Sequence, residues 1–344
     1  MLADMTEEQR VGQLFVLGIA GDKLRAAETS AIETDHIGSV YLVNSRTGGV
    51  QSVRTLTTAI EALATGSNTD RVGFFVAADQ EGGLVQRLSG PGFVAIPTAL
   101  VQGQIPTAAL EADATTWGRQ LAAAGVNLNL GPVMDVVPPG EDGINQPIGV
   151  LQREYGHDPT IVGSHGAAVV EGMARAGVAT TLKHFPGLGR VTGNTDTTAG
   201  VVDSTTTPND PYLAAFKTGI AAGAPFVMVS LATYSAIDRD HRAVFSPTII
   251  GTLLRGRLGF KGVVVSDDLG ATAAVSSLAP GARATEFIAA GGDSILVGSV
   301  RPATEMVAAV LARARSDTGF AAQVDTAALL VLEAKATYGL LACQ

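Results

Sequence analysis

Apolar positions in this chain fall into short continuous runs, each preceded by a helical stretch and a cap of small residues. The phrase recurs as RQLAAAGVNLNLGPVMDV, GMARAGVATTLKHF, TGIAAGAPFVMVSL, LLRGRLGFKGVVVSDD and FIAAGGDSILVG. Glycine is favoured just past a helix because it accepts the left-handed backbone of the cap, and unbroken Val, Ile and Leu runs suit strands buried on both faces. Helix followed by strand, repeated, predicts a parallel sheet. Eight runs qualify as strands, at 11–18, 37–43, 74–79, 126–136, 178–185, 225–231, 262–268 and 293–297. Helices are predicted at roughly 106–124, 159–176, 209–222, 247–257, 301–314 and 324–338, several opened by Pro, Ser or Asp. No composition break or Pro/Ser-rich linker divides these units. The expected fold is therefore α/β, one closed (β/α)₈ barrel spanning 1–344 as a single domain, in preference to a doubly wound sheet. The loops richest in Gly and polar residues, 137–150 and 186–206, follow the fourth and fifth strands.

Length changes this picture little. At about 150 residues per domain 344 would suggest two domains, but α/β barrels exceed that length as one. Hydrophobic residues make up 46% and charged residues 16%, so the chain can fill a core and general disorder is excluded. A net charge of −9 argues against a nucleic-acid partner. The single Cys343 leaves no disulfide framework and no cysteine metal site. Every apolar run is interrupted well before the roughly 18 residues of a spanning helix, and Met1 is followed by acidic residues rather than a basic stretch and an apolar core. No membrane span or export signal is expected. The compartment stays open between cytoplasm and export with a removed leader.

A barrel of this kind carries its chemistry at the C-terminal ends of its strands. Polar residues end the apolar runs repeatedly: Asp79 in FFVAADQEGG, Asp135 in NLNLGPVMDV, Lys183 and His184 in ATTLKHFPG, and Asp267 and Asp268 in GVVVSDDLG. One such Asp is ordinarily a helix cap, but four strand ends converging on one face point to a site. Paired carboxylates among cations suit sugar chemistry or a metal. The five histidines, His36, His157, His165, His184 and His241, show no ligand cluster along the chain, so no metal is expected. Lys183 could instead form a Schiff base.

Four motifs, AADQEGGLVQRL, IGVLQREYGHDP, KHFPGLG and LGFKGVVVSDDLG, follow one another in an order and spacing that resemble glycoside hydrolase family 3, specifically its single-domain β-N-acetylglucosaminidases. The likeness runs from MTEEQRVGQLF to GGDSILV, nearly the whole chain. It implies a retaining mechanism in which a carboxylate attacks the anomeric carbon and water later frees the sugar. By the same resemblance Asp267 is the nucleophile, Asp79, Arg87, Arg153, Lys183 and His184 bind the sugar, and Asp268 points away from the barrel mouth to cap the next helix. Packing alternatives are an ion pair of Arg153 with Glu154 or Asp158, and a buried His184 that holds its loop.

The sequence departs from that family where the acid/base should be. Members usually carry a triplet such as Asp-Ser-His after KHFPG, whose His is the acid/base and whose Asp tunes it. Here the segment reads KHFPGLGRVTGNTDTTAG, with no further His before His241 and with Leu188 in place of a His common in the family. Aligned without a gap, Asn194 takes the tuning position and Asp196 the catalytic one. With a two-residue insertion Asp196 would tune and Thr198 would replace the His. Protonating a leaving group needs a titratable group, which Thr is not, so Asp196 is the candidate acid/base; its bland alternative is an Asx turn.

The sequence thus predicts an exo-acting retaining β-N-acetylhexosaminidase that releases GlcNAc from peptidoglycan fragments or chitin-type oligosaccharides. A monomer without cofactor is expected. The rivals are a β-glucosidase, a GlcNAc phosphorylase of the same family, and a sugar-binding barrel weakened by loss of the His.

Overall fold

A computed structural model describes residues 2–341, so Cys343 lies outside the described residues. Eight parallel strands form the centre: β1 (Phe15–Ile19), β2 (Ser39–Leu42), β3 (Phe75–Ala78), β4 (Leu128–Asn129), β5 (Ala179–Phe185), β6 (Phe226–Val229), β7 (Val263–Ser266) and β8 (Ile295–Val297). Each pairs with its neighbours in chain order, and β8 returns to β1 with Phe15 opposite Ile295. Between β7 and β8 the barrel closes through a bridge from Val265 to Ser294, where the Ser266 N–H donates to the Ser294 carbonyl at 2.9 Å.

All eight predicted strands are present, with shifted ends. Residues 11–14 are not strand, because Thr6 opens the helix Glu7–Gln13 with a reciprocal cap: its hydroxyl accepts the Gln9 N–H while the Gln9 side chain accepts the Thr6 N–H. The fourth strand is only Leu128–Asn129. Pro132 has no N–H for the ladder, so beyond it pairing is reduced to a bridge between Val133 and Lys183. The six predicted helices are found at Thr107–Ala123, Pro159–Arg175, Leu213–Ala221, Thr248–Arg257, Val300–Ser316 and Thr318–Thr337, the fourth wound as a π-helix. The last begins six residues early because the Asp317 side chain caps it at Phe320 N. Helices Ala26–Thr34, Gly49–Glu61 and Pro280–Ala289 were not predicted. No helix among the described residues is long and apolar enough to cross a membrane.

Side chains alternate between two apolar regions, as the pleat requires. Val16, Tyr41, Phe75, Leu128, Phe226 and Val265 fill the barrel interior, where Phe75 and Phe226 meet edge to face at 5.2 Å. Phe15, Leu17, Val40, Val76 and Val264 face outward into the layer beneath the helices. The helix Thr318–Thr337 closes the N-terminal end, adding Val331 to the interior. Each such buried side chain contributes roughly 1.5–3 kcal/mol. With one end stoppered by apolar groups, polar groups that leave the strands upward share the other.

Candidate active site at the C-terminal ends of the strands

After β3 the chain makes a tight hairpin, Gln80–Gly82 against Val85–Gln86. Gly82 and Gly83 sit at φ 113° and 56°, and a Cβ on Gly82 would stand 2.2 Å from the Pro97 carbonyl oxygen, so this turn requires glycine. The Gln80 amide locks the hairpin by exchanging two 2.9 Å hydrogen bonds with the Leu88 backbone. Asp79, Glu81 and Arg87 are thereby fixed on one rim. Lys183, from β5, donates to Asp79 Oδ1 at 2.5 Å and pairs with Glu81 Oε1 at 2.7 Å. Arg153 grips Glu81 through Nε and Nη2, both at 2.8 Å, and donates from Nη1 to the Pro147 carbonyl at 2.8 Å.

Electrostatics follow from this network. Burial alone would raise the Glu81 carboxyl, but Arg153 and Lys183 more than offset it and hold it down at about 2. Burial works against the Lys183 ammonium, yet Asp79 and Glu81 raise its pKa above the ordinary lysine value. An amine held charged is no nucleophile, so Schiff-base chemistry at Lys183 is disfavoured. Arg153 does not pair with Glu154 or Asp158; its partner is Glu81, which the sequence reading missed although it stands inside the DQEGG motif. Asp158 instead caps the helix Pro159–Arg175 at Thr160 N, 2.7 Å away. Arg87 has no side-chain hydrogen bond or ion pair among the described residues, and its Nε is buried without a partner.

On the opposite wall, fully buried Asp135 accepts three hydrogen bonds: from His184 Nδ1 at 2.7 Å, His184 N at 3.1 Å and Leu188 N at 2.7 Å. His184 therefore both holds its loop and faces the cavity. Asn145 joins the two Gly-rich loops, its amide donating to the Leu188 and Val191 carbonyls at 2.7 Å. Farther on, Asn194 makes the Asx turn, its Oδ1 accepting the Asp196 N–H at 2.9 Å. The Asp196 carbonyl accepts from Ala273 N at 3.0 Å, which moors this loop to the one after β7. The Asp196 carboxylate accepts no hydrogen bond from the described residues. It lines the cavity, which Thr198 does not.

Asp267 stands at the end of β7, half-buried, its Oδ1 accepting the Asp268 N–H at 2.8 Å. Burial pushes its carboxyl up to about 6, against the pull of His184 and with the help of the nearby Asp196 charge. Asp268 is not the expected helix cap: its Oδ1 accepts from Gly270 N at 2.7 Å and Gly298 N at 3.0 Å, joining the β7 loop to the end of β8, and it lines the cavity margin.

Asp79, Arg87, Arg153, Lys183, His184, Asp196 and Asp267 thus line one cavity of about 390 Å³ at the C-terminal ends of the strands, with Tyr41, Leu130, Leu188 and Met228 as apolar lining. That volume suits a single sugar ring with an open mouth. Away from it, the structure corrects the expectation of no histidine cluster: His157, Asp142 and Glu154 bring their ligand atoms within 4.8 Å of one another. Glu154 and His157 are only three residues apart, but Asp142 reaches them through the loop fold.

Residues 6–333 match the glycosyl hydrolase family 3 N terminal domain. A β-hexosaminidase of Stenotrophomonas maltophilia is 34% identical over 339 residues, covering 95% of this chain and 92% of that protein. A crystal structure of a β-N-acetylhexosaminidase from Beutenbergia cavernae superposes with a TM-score of 0.95 at 52% identity, covering 97% of this chain and 99% of the other. A family 3 β-N-acetylglucosaminidase from a Paenibacillus species superposes at 0.89 with 29% identity, covering 99% of this chain and 64% of that one.

Proposed function

The chain belongs to glycosyl hydrolase family 3, and from that premise we propose that it is an exo-acting, retaining β-N-acetylhexosaminidase that frees terminal GlcNAc from peptidoglycan fragments or chitin-type oligosaccharides. The observation that carries this reading is the placement of two carboxyl groups, Asp267 and Asp196, on the lining of one cavity at the C-terminal ends of the strands. Two carboxyl groups with opposed tasks are what glycoside hydrolysis requires.

The Asp267 carboxylate attacks the anomeric carbon, forming a glycosyl ester as the bond to the leaving oxygen breaks. Asp196 gives its proton to that oxygen, so the aglycone departs as an alcohol. In the second step the Asp196 carboxylate takes a proton from water, whose oxygen displaces Asp267 and restores the anomeric configuration. Asp196 suits this exchange because its carboxylate is unengaged and its loop is held at two points, by Asn194 and by Ala273.

Recognition falls to the opposite rim. Asp79 keeps Oδ2 free of hydrogen bonds from the described residues while Lys183 occupies Oδ1, so it can accept from a sugar hydroxyl. Arg87 offers uncommitted donors, and Arg153 and Lys183 carry charge held in place by Glu81. A rim that hydrogen-bonds hydroxyls rejects analogues lacking them, because its buried polar groups are then left unpaired. The choice of GlcNAc rests on the full-length similarity to β-hexosaminidases.

The test is a panel of aryl β-glycosides with and without inorganic phosphate. The β-GlcNAc glycoside should be turned over well ahead of the β-glucoside, and without need of phosphate. Equal or faster glucoside turnover would give the glucosidase, and dependence on phosphate the phosphorylase.

A further inference from the structure

Outside the sugar cavity, Glu154 is wholly buried, and neither oxygen of its carboxylate has a hydrogen-bond partner among the described residues. A carboxylate in that position is costly unless something neutralises it. The groups nearest it are not cations. Asp142 Oδ1, also buried and without a hydrogen bond among the described residues, faces it, the ligand atoms of the two lying within 4.8 Å. His157 completes the group, its Nδ1 3.6 Å from Asp142 Oδ1 and 3.1 Å from the Val137 carbonyl oxygen.

We propose that Asp142, Glu154 and His157 form a site for one divalent cation of the zinc type, with the Val137 carbonyl as a fourth ligand. Around a tetrahedral zinc with bonds near 2.0–2.1 Å, neighbouring ligand atoms stand about 3.3 Å apart, and the 3.1 and 3.6 Å separations here bracket that distance. One imidazole with two carboxylates suits a borderline ion better than Mg²⁺ or Ca²⁺, which favour all-oxygen sets. The side chains of Asp142 and His157 remain 38% and 34% exposed, so an ion can enter from solvent. The bound ion would join the 137–150 loop to the segment that begins at Arg153, and so fix one wall of the sugar cavity from behind without touching the reacting groups.

The test uses the whole protein stripped of metal by chelation, titrated separately with ZnCl₂, CaCl₂ and MgCl₂ and followed by calorimetry and thermal unfolding. Zinc should bind with a stoichiometry near one and raise the midpoint by roughly 4 °C at about 100 times its Kd. Glu154→Gln, which keeps shape and supplies Asp142 with a donor, should fold and lose the zinc response, as should His157→Ala. Asp267→Ala, in the other cavity, should keep it. No zinc uptake by the wild type would mean that a shared proton alone joins Glu154 to Asp142, and would overturn the site. Uptake that survives both Glu154→Gln and His157→Ala, or a response to Ca²⁺ or Mg²⁺ alone, would overturn it equally.

Discussion

Glu81 holds Arg153 by two hydrogen bonds of 2.8 Å, and the same carboxylate takes Lys183 at 2.7 Å, so one buried anion anchors two of the cations that face the sugar cavity. Its charge is what keeps those side chains in place, since neither guanidinium nor ammonium would stay desolvated alone.

Glu81→Gln should therefore leave the buried Lys183 and the half-buried Arg153 each short of a partner. The expected cost is about 3–5 kcal/mol in urea unfolding. In the variant that still folds, KM for the aryl β-GlcNAc glycoside should rise more than kcat falls, because the loss is in positioning rather than chemistry. An unchanged KM would show that Arg153 and Lys183 do not need this anchor.

Asp267→Ala should fold normally and lose activity by roughly 10⁴-fold or more, because the covalent route loses its nucleophile and neighbouring Asp268 is engaged by Gly270 N and Gly298 N. Circular dichroism and turnover of the aryl glycoside check the two halves separately. Near-native rates would remove Asp267 from the mechanism.

The attacking carboxylate must be ionised, and burial holds Asp267 up at about 6. The acidic limb of kcat/KM should accordingly fall near pH 6 rather than near the ordinary carboxylate range. Because the Asp196 charge contributes to that rise, Asp196→Asn should move the limb to lower pH on an activated aryl substrate. A limb that stays in place would separate the two groups electrostatically.

Acid assistance matters most when the leaving group is another sugar and little when it is a dinitrophenol that departs as a stable anion. Asp196→Ala should then lose about 10² to 10⁴ in rate on a disaccharide while nearly sparing the glycosylation step on the dinitrophenyl glycoside. Equal loss on both, or no loss on either, would assign the proton to a different group.

Beneath the barrel, Lys335 is fully buried, donating to Gln13 Oε1 at 2.7 Å and to the Gly38 carbonyl at 2.6 Å, and burial lowers its pKa to about 7. The unfolded chain binds this proton up to the ordinary lysine value and the folded chain only below about 7. Stability should therefore rise with pH across that window, by at most about 1.4 kcal/mol per pH unit. Lys335→Met should remove that part of the slope, as read from urea midpoints at pH 6 and pH 9.

How the chain winds was legible in its sequence because the governing terms are local and repeated. An apolar run after a helix and a glycine cap suits a strand buried on both faces of a parallel sheet, and eight such units without a break favour closure into a barrel. The strand-end polar residues were legible for the same reason: where an apolar run stops, the chain leaves the core at a known end of the barrel. Asp79, Lys183, His184 and Asp267 therefore stood out without any tertiary information, and the four ordered motifs added Arg87, Arg153 and the family.

Partnership was decided only by the tertiary structure. Glu81 stands 72 residues before Arg153, and Asp135 stands 49 before His184, separations at which no periodicity predicts contact. Asp142 meets Glu154 and His157 only because the loop after β4 folds back, and a spacing search along the chain passes over it. Asp196 and Asn194 could be told apart as carboxylate and turn-former only once the loop was moored at Ala273. Local sequence fixes which residues leave the core and in which direction, because that depends on nearest neighbours. Which charge neutralises which depends on the closure of the whole barrel, where distant loops share a single low-dielectric rim and each buried charge must find a counter-charge there.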